Sequence, residues 1–242
     1  MLKKIINNVE QVIVGKREAI ELVVTALISN GHILLEDVPG VGKTRLIAAV
    51  ARSIDGSFKR IQFTADVLPS DITGFSVYNQ KTGDFEFKKG AIMSQFVLAD
   101  EINRTSPKTQ AALLEAMEER QISVDGVTYK MPQPFMVMAT QNPIEFMGTF
   151  PLPEAQLDRF MLKVIIGYPE LSEEKRIIRQ NITGEKVKAL PVLTPKEIVE
   201  ARKIVRMVYI DEKIEQYIAD IVFATRYPEK YNLGELKGMI SF

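Results

Sequence analysis

The sequence predicts a three-layer α/β fold: a parallel sheet between helices, interrupted by two β-hairpins and followed by an all-helical segment. Three observations carry this. Short apolar runs (Ile33–Leu35, Phe96–Ala99, Phe135–Ala139) alternate with stretches whose apolar residues recur every three or four positions. Two alternating segments flank Gly-containing turns, which is the signature of hairpins. Beyond Gly167-Tyr168-Pro169 the strand-like runs stop and only helical periodicity remains.

In chain order, Ala19, Ile20, Val23, Val24, Leu27 and Ile28 form one apolar stripe, and Asn30-Gly31 ends that helix. Ile33–Leu35 reads as a buried strand that passes through Pro39, Gly40 and Gly42 into a helix carrying Leu46, Ile47, Val50 and Ile54. Arg60–Phe63 reads as a second strand, and Leu68–Gly74 as broken and polar. Phe75–Val77 and Phe85–Phe87 form the first hairpin. Phe96 opens a buried strand that ends in Asp100-Glu101. Ser106 and Pro107 are good helix-start chemistry, and that helix runs to about Glu119. Ile122–Val124 and Val127–Tyr129 flank Asp125-Gly126 as a second hairpin. Phe135–Thr140 is the next strand and Leu162–Ile166 the last. Helices follow over Glu173–Asn181, from a capping box at Thr194–Glu197, and over Asp211–Arg226. The domain boundary is expected near Pro169, giving units 1–169 and 170–242.

Composition excludes several classes. With 242 residues the chain is long enough for one large or two small domains. It carries no formal net charge, which argues against sequence-independent nucleic-acid binding. No cysteine and a single histidine, His32, leave no thiolate or histidine zinc centre, and His32 is expected to be structural. No apolar run approaches the ~20 residues of a membrane-spanning helix. No signal-peptide core opens the chain, so the expected setting is cytoplasmic.

The chemistry concentrates at three strand ends. Strand, glycine-rich turn, Lys-Thr and helix make a phosphate-binding loop, with Pro39, Gly40, Val41, Gly42, Lys43, Thr44 and Arg45 as its candidate contacts. Glycines let backbone N–H groups approach phosphate oxygens, and the helix N-terminus adds unpaired donors. Lys43 would meet the β- and γ-phosphates, and Thr44 would offer a hydroxyl to Mg²⁺. Asp37 stands where the strict G-x-x-x-x-G-K-[ST] pattern has glycine, a residue type that tolerates turns. Asp100 would hold Mg²⁺ opposite Thr44, and Glu101 would act as general base on the attacking water. The strand before Gln141 and Asn142 delivers Asn142 at a third carboxyl end. Val14 and Gly15 lie in an apolar segment that either covers an adenine or is ordinary packing.

The ordered set EDVPGVGKT, FVLADEINR, ALLEAMEE, ATQNP and PLPEAQLDRF resembles the MoxR family of AAA+ ATPases over nearly the whole chain. The resemblance implies a P-loop NTPase core with two hairpin insertions, near the magnesium-chelatase and MCM-helicase branches, followed by a small all-α lid. It implies ATP hydrolysis, with ATP or ADP and Mg²⁺ bound, coupled to remodelling or activating a partner. That partner is often a von Willebrand factor A-domain protein, and the work includes metal-cofactor insertion or complex assembly. A homo-oligomeric ring, commonly a hexamer, is implied as well. Lys43 and Thr44 then take the Walker A roles, Asp100 and Glu101 the Walker B roles, and Asn142 that of sensor 1. Arg159 is the matching candidate for an arginine finger on a neighbouring subunit's ATP; its alternative is an ion pair with Asp158 or Glu154. Arg104 is placed at a subunit interface.

The family's lid carries a sensor-2 arginine in a G-[AS]-S-P-R segment, and the chain stops at Met239–Phe242, about where that segment would begin. A truncated lid is expected, with nucleotide binding retained and turnover weak. Two rivals differ in kind. An MCM-like nucleic-acid motor would grip a strand with the second hairpin, but its tip is Asp125-Gly126 with no cation until Lys130. A nucleotide-gated switch would bind without appreciable turnover; the Asp100-Glu101 pair argues against it for a full-length protein, and the expected loss of the lid's end argues for it here.

Overall fold

The computed structural model describes residues 1–36, 42–142, 148–183 and 187–238. Two helices open the chain, α1 (Leu2–Glu10) and α2 (Arg17–Ile28). Strand β1 (Ile33–Glu36) precedes α3 (Lys43–Ser53), and β2 (Phe58–Gln62) precedes a short α4 (Pro69–Thr73). The hairpin β3–β4 (Gly74–Asn79, Asp84–Lys89) leads to β5 (Phe96–Asp100) and α5 (Pro107–Glu119). The hairpin β6–β7 (Gln121–Val124, Val127–Lys130) leads to β8 (Met136–Gln141), α6 (Glu154–Leu157) and β9 (Leu162–Val164). Helices α7 (Leu171–Thr183), α8 (Pro195–Val205) and α9 (Glu212–Arg226) complete the order.

Five strands form one sheet in the order β2-β5-β8-β1-β9, and every neighbouring pair is parallel. Successive side chains point to opposite faces, and the chain uses both. Ile33, Leu35, Leu98 and Met138 enter a core with Ile5, Ile20 and Leu27 of α1–α2 and Leu46, Ile47 and Val50 of α3. Leu34, Val97, Val137 and Ala139 enter a second core with Leu113, Leu114 and Met117 of α5. Both faces are dry, which is why β5 and β8 read as continuous apolar runs rather than alternating ones. The result is the expected α/β architecture, a parallel sheet between two layers of helices.

The hairpins stand outside this sheet, each pairing only with itself. Asp125 (φ 50°) and Gly126 (φ 80°) supply the two positive dihedrals of a tight hairpin turn. Phe87 and Tyr129 stack with ring centroids 4.1 Å apart, joining one hairpin to the other.

Several boundaries differ from those expected. β2 begins at Phe58, because it pairs in register with β5 from Phe58↔Phe96 to Gln62↔Asp100. β9 stops at Val164, where its register with Leu35 of β1, its one neighbour, ends. Leu68–Gly74 is not merely broken: Pro69 begins α4, and the Leu68 N–H donates to Asp71 Oδ2 at 2.9 Å. The chain divides into compact units at Met1–Lys203 and Ile204–Phe242. Pro169 marks where strands give way to helices, but the next segment returns to the core. Asn8 Nδ2 donates to Leu190 O (2.7 Å), and the Val192 and Leu193 N–H groups donate to Ser53 O. The capping box at the start of α8 is present, Thr194 N donating to Glu197 Oε2 at 2.7 Å. The second unit contains α9, opened by Asp211 Oδ1 accepting from Lys213 N.

His32 is buried at the entrance to β1. Its Nδ1 accepts from Val137 N (2.9 Å), so Nε2 carries the proton and donates to Met117 O (3.1 Å). The ring thereby ties β8 to α5. Burial, with the positive charges of Arg120 and Arg202 adding to it, lowers its pKa from 6.5 to about 4. Between those values the unfolded chain binds the extra proton, so stability is complete above pH 6.5 and falls as pH approaches 4. This group should cost about 3 kcal/mol across that window. Urea unfolding at a series of pH values should show a flatter dependence in His32→Gln than in the wild type; equal slopes would contradict the assignment.

Candidate functional site

Parallel pairing puts the carboxyl ends of β1, β5 and β8 on one edge of the sheet, where open α/β folds bind ligands. A cavity of about 330 Å³ lies at that edge. Gly42, Lys43, Thr44 and Arg45 line it from the start of α3, Asp100 and Glu101 from β5, and Thr140 and Asn142 from β8. Gly42 is the N-cap of α3 at φ 88°, a left-handed conformation, and among the described residues, its chain neighbours aside, no atom lies within 4 Å of the place a Cβ would take. Its glycine is therefore required by the backbone rather than by space.

Seven of the residues singled out from sequence thus meet: Gly42, Lys43, Thr44, Arg45, Asp100, Glu101 and Asn142. Pro39, Gly40 and Val41, with Asp37, lie outside the described residues, as does the Met239–Phe242 segment. Val14 is buried, and Gly15 lines a separate cavity with Lys16 and Lys163. The Glu173 carboxylate closes over Gly15, within 1.7 Å of where a Cβ would sit. Arg159 does not line the 330 Å³ cavity. Its Nη2 pairs with Glu118 Oε2 at 2.9 Å, so its partner on α5 is neither Asp158 nor Glu154.

Sequence reasoning missed three lining residues: Arg60, Gln62 and Thr140. Thr140 donates through Oγ1 to Asp100 Oδ1 (2.6 Å) and accepts from Glu101 N (2.9 Å). It fixes the turn between the two acids. Glu101 needs such support, since its φ of 59° is a left-handed conformation that costs a non-glycine residue about 1 kcal/mol. Gln62 Nε2 donates to Glu101 Oε2 at 2.7 Å, and Arg104 Nη1 lies 3.2 Å from the same oxygen. Arg60 pairs with Asp100 Oδ2 through Nη2 at 2.6 Å. Spacing puts Arg60 and Gln62 two apart on a strand, hence on one face, but only the register that sets Gln62 opposite Asp100 gives that face a role.

The donor set fits a nucleotide-borne Mg²⁺. Thr44 and Asp100 offer hard oxygens to one cavity. Among the described residues no group of three or more His, Cys, Asp or Glu side chains could cage a metal alone. An ion held by one or two protein oxygens, phosphates and water is how Mg²⁺ is usually bound.

The parallel sheet, its strand order and the helix that starts at the cavity are those of the α/β P-loop class of folds. The model of the "ATPase family associated with various cellular activities (AAA)" matches residues 32–162. The chain is 51% identical over 235 residues to the uncharacterized protein YeaC of Bacillus subtilis, covering 97% of this chain and 73% of that one. It is 43% identical over 242 residues to Chaperone MoxR1 of Mycobacterium tuberculosis, covering all of this chain and 64% of that one. A crystal structure described as that of a "putative ATPase" from Cytophaga hutchinsonii superposes with a TM-score of 0.88 at 43% identity, covering 96% of this chain and 71% of that one. The chain belongs to the MoxR family of AAA+ ATPases.

Thr140→Val should lower unfolding stability by about 1–2 kcal/mol, because it strips a donor from Asp100 and strands the Glu101 N–H. Thr140→Ser should restore most of it. A valine variant as stable as the wild type in urea would show that this tie contributes nothing.

Proposed function

We propose that this chain binds ATP with Mg²⁺ in the 330 Å³ cavity, hydrolyses it, and uses the cycle to remodel or activate a partner protein. The supporting observation is that Lys43, Thr44, Asp100, Glu101 and Asn142, from three different strand ends, line one cavity. Lys43 places its ammonium on the β- and γ-phosphates, and Arg45 sits beside them at the first turn of α3. Thr44 and Asp100 hold the metal, which when bound neutralises charge on the phosphate oxygens. Glu101 takes a proton from the attacking water, and Asn142 orients that water beside the γ-phosphate. Gly42 supplies a backbone N–H to the phosphates; of the loop candidates outside the described residues, Gly40 and Val41 have an N–H to offer and Pro39 has none. Val14 and Gly15 are the candidates to cover the base, ordinary packing being their alternative.

Arg159 acts in this reading on ATP of a neighbouring subunit in a homo-oligomeric ring, a hexamer. Breaking its pair with Glu118 is then part of assembly. Residues 1–169 form the nucleotide-binding core and 170–242 belong to the lid. The client is a protein, a von Willebrand factor A-domain protein being the first to test, and metal-cofactor insertion or complex assembly the work done on it. The setting proposed is the cytoplasm; among the described residues no helix is long and apolar enough to cross a membrane.

A second reading, a nucleotide-gated switch with little turnover, has one observation in its favour. Oε2 of the Glu101 carboxylate is already engaged by two donors, Gln62 and Arg104. Calorimetric titration with ATP and steady-state hydrolysis separate the two. Lys43→Ala should weaken ATP binding. Glu101→Gln should retain binding and lose about 10²-fold or more in turnover, the usual worth of a general base. Tight ATP binding with hydrolysis indifferent to Glu101→Gln would reject the catalytic reading in favour of the switch.

A further inference from the structure

The two acids of β5 are joined through β2. Arg60 reaches Asp100 Oδ2 with Nε (3.1 Å) and Nη2 (2.6 Å), and the same Nη2 donates to Gln62 Oε1 at 2.7 Å. Gln62 turns its amide nitrogen to Glu101 Oε2 at 2.7 Å. The chain of contacts is continuous: Asp100, Arg60, Gln62, Glu101. Its amide orientation is set by Arg60, because a guanidinium only donates and so must face the Gln62 carbonyl oxygen. That leaves the Gln62 NH₂ for the carboxylate of Glu101.

Asp100 is therefore engaged at both oxygens, Oδ1 by the Thr140 hydroxyl and Oδ2 by Arg60. The Asp100 side chain is 16% exposed and that of Arg60 48%, so the acid is enclosed while its counter-ion can leave. A guanidinium and a hydrated divalent cation repel each other when they share one carboxylate. Arg60 and the metal are rivals for Asp100.

We propose that Arg60 is a positioning residue that holds the metal's place on Asp100 and yields it when metal-bound nucleotide arrives. This rests on the reading of the cavity as a Mg²⁺–nucleotide site. Displacement of Arg60 frees the Gln62 carbonyl, lets its amide rotate, and releases Glu101 from one of its two donors.

The test is the factor by which Mg²⁺ raises affinity for the non-hydrolysable analogue AMP-PNP, measured by calorimetry with and without the metal in each variant. Taking a ratio within each protein cancels any direct contact between residue 60 and phosphate. In Arg60→Gln the factor should grow about fivefold to tenfold, the scale of a partly exposed charge-assisted pair. Arg60→Lys keeps the charge on Asp100 and should keep the factor within about twofold of wild type. An unchanged or smaller factor in Arg60→Gln, or a lysine variant that behaves like the glutamine one, overturns the proposal. Should Arg60→Gln fail to fold, NMR of the wild type decides: the Arg60 Nε–H and Gln62 amide resonances should shift together when Mg²⁺–AMP-PNP is added, and unmoved resonances overturn it. A wild type that binds AMP-PNP under neither condition would remove the nucleotide reading itself. Binding with no change in the ratio removes only the role of Arg60.

Discussion

Register in the parallel sheet is the constraint from which the site follows. Gln62 stands opposite Asp100, and Glu36 opposite Gln141. These pairings bring side chains distant in sequence to one edge. A slip of one residue in β5 would turn Asp100 toward the other face and carry Leu98 out of its core. The register is held because both faces are packed: Leu98 and Met138 on one side, Val97, Val137 and Ala139 on the other. Apolar burial sets the strands, and the strands set the polar atoms at their tips.

At those tips the polar groups are mutually satisfied. Thr140 binds Asp100 and the backbone of Glu101, and Gln141 Nε2 donates to Glu36 Oε1 at 2.7 Å while Lys163 pairs with the same carboxylate. Such a network keeps partly enclosed acids oriented. It also means that the described state is a restrained one. Glu101 occupies a strained backbone position and is held by Gln62 and Arg104. Strain of this kind persists only where surrounding contacts enforce it, and a ligand that rearranges those contacts can draw on it.

Most of the architecture was legible in the sequence because buried strands and glycine-rich turns are local signals. Ile33–Leu35, Phe96–Ala99 and Phe135–Ala139 needed no knowledge of their neighbours, and neither did Asp125-Gly126. The acids of the site were legible because each terminates such a strand. Arg60 and Gln62 were not, since nothing local separates them from any exposed strand residue; only the pairing of β2 with β5 gives them a role. Thr140 was hidden for a related reason, being one more residue of an apolar strand until its hydroxyl is seen to meet Asp100. The partner of Arg159 was missed because Glu118 lies on α5, far away in the chain. Sequence neighbours such as Asp158 are the wrong place to look for long side chains at a tertiary junction. Packing of residues 189–193 on Ser53 likewise depends on Asn8, at the other end of the chain.

The central claim is that one terminal phosphoryl group sits among Lys43, Asp100 and Asn142, with a divalent cation between Thr44 and Asp100. Its most direct test is a crystal structure of this chain grown with Mn²⁺ and AMP-PNP, in which anomalous scattering locates the metal. The account predicts a manganese peak beside the Thr44 hydroxyl and within a water's reach of Asp100, with the γ-phosphate against Lys43. A metal bound elsewhere, or a nucleotide whose phosphates avoid Lys43, would contradict it.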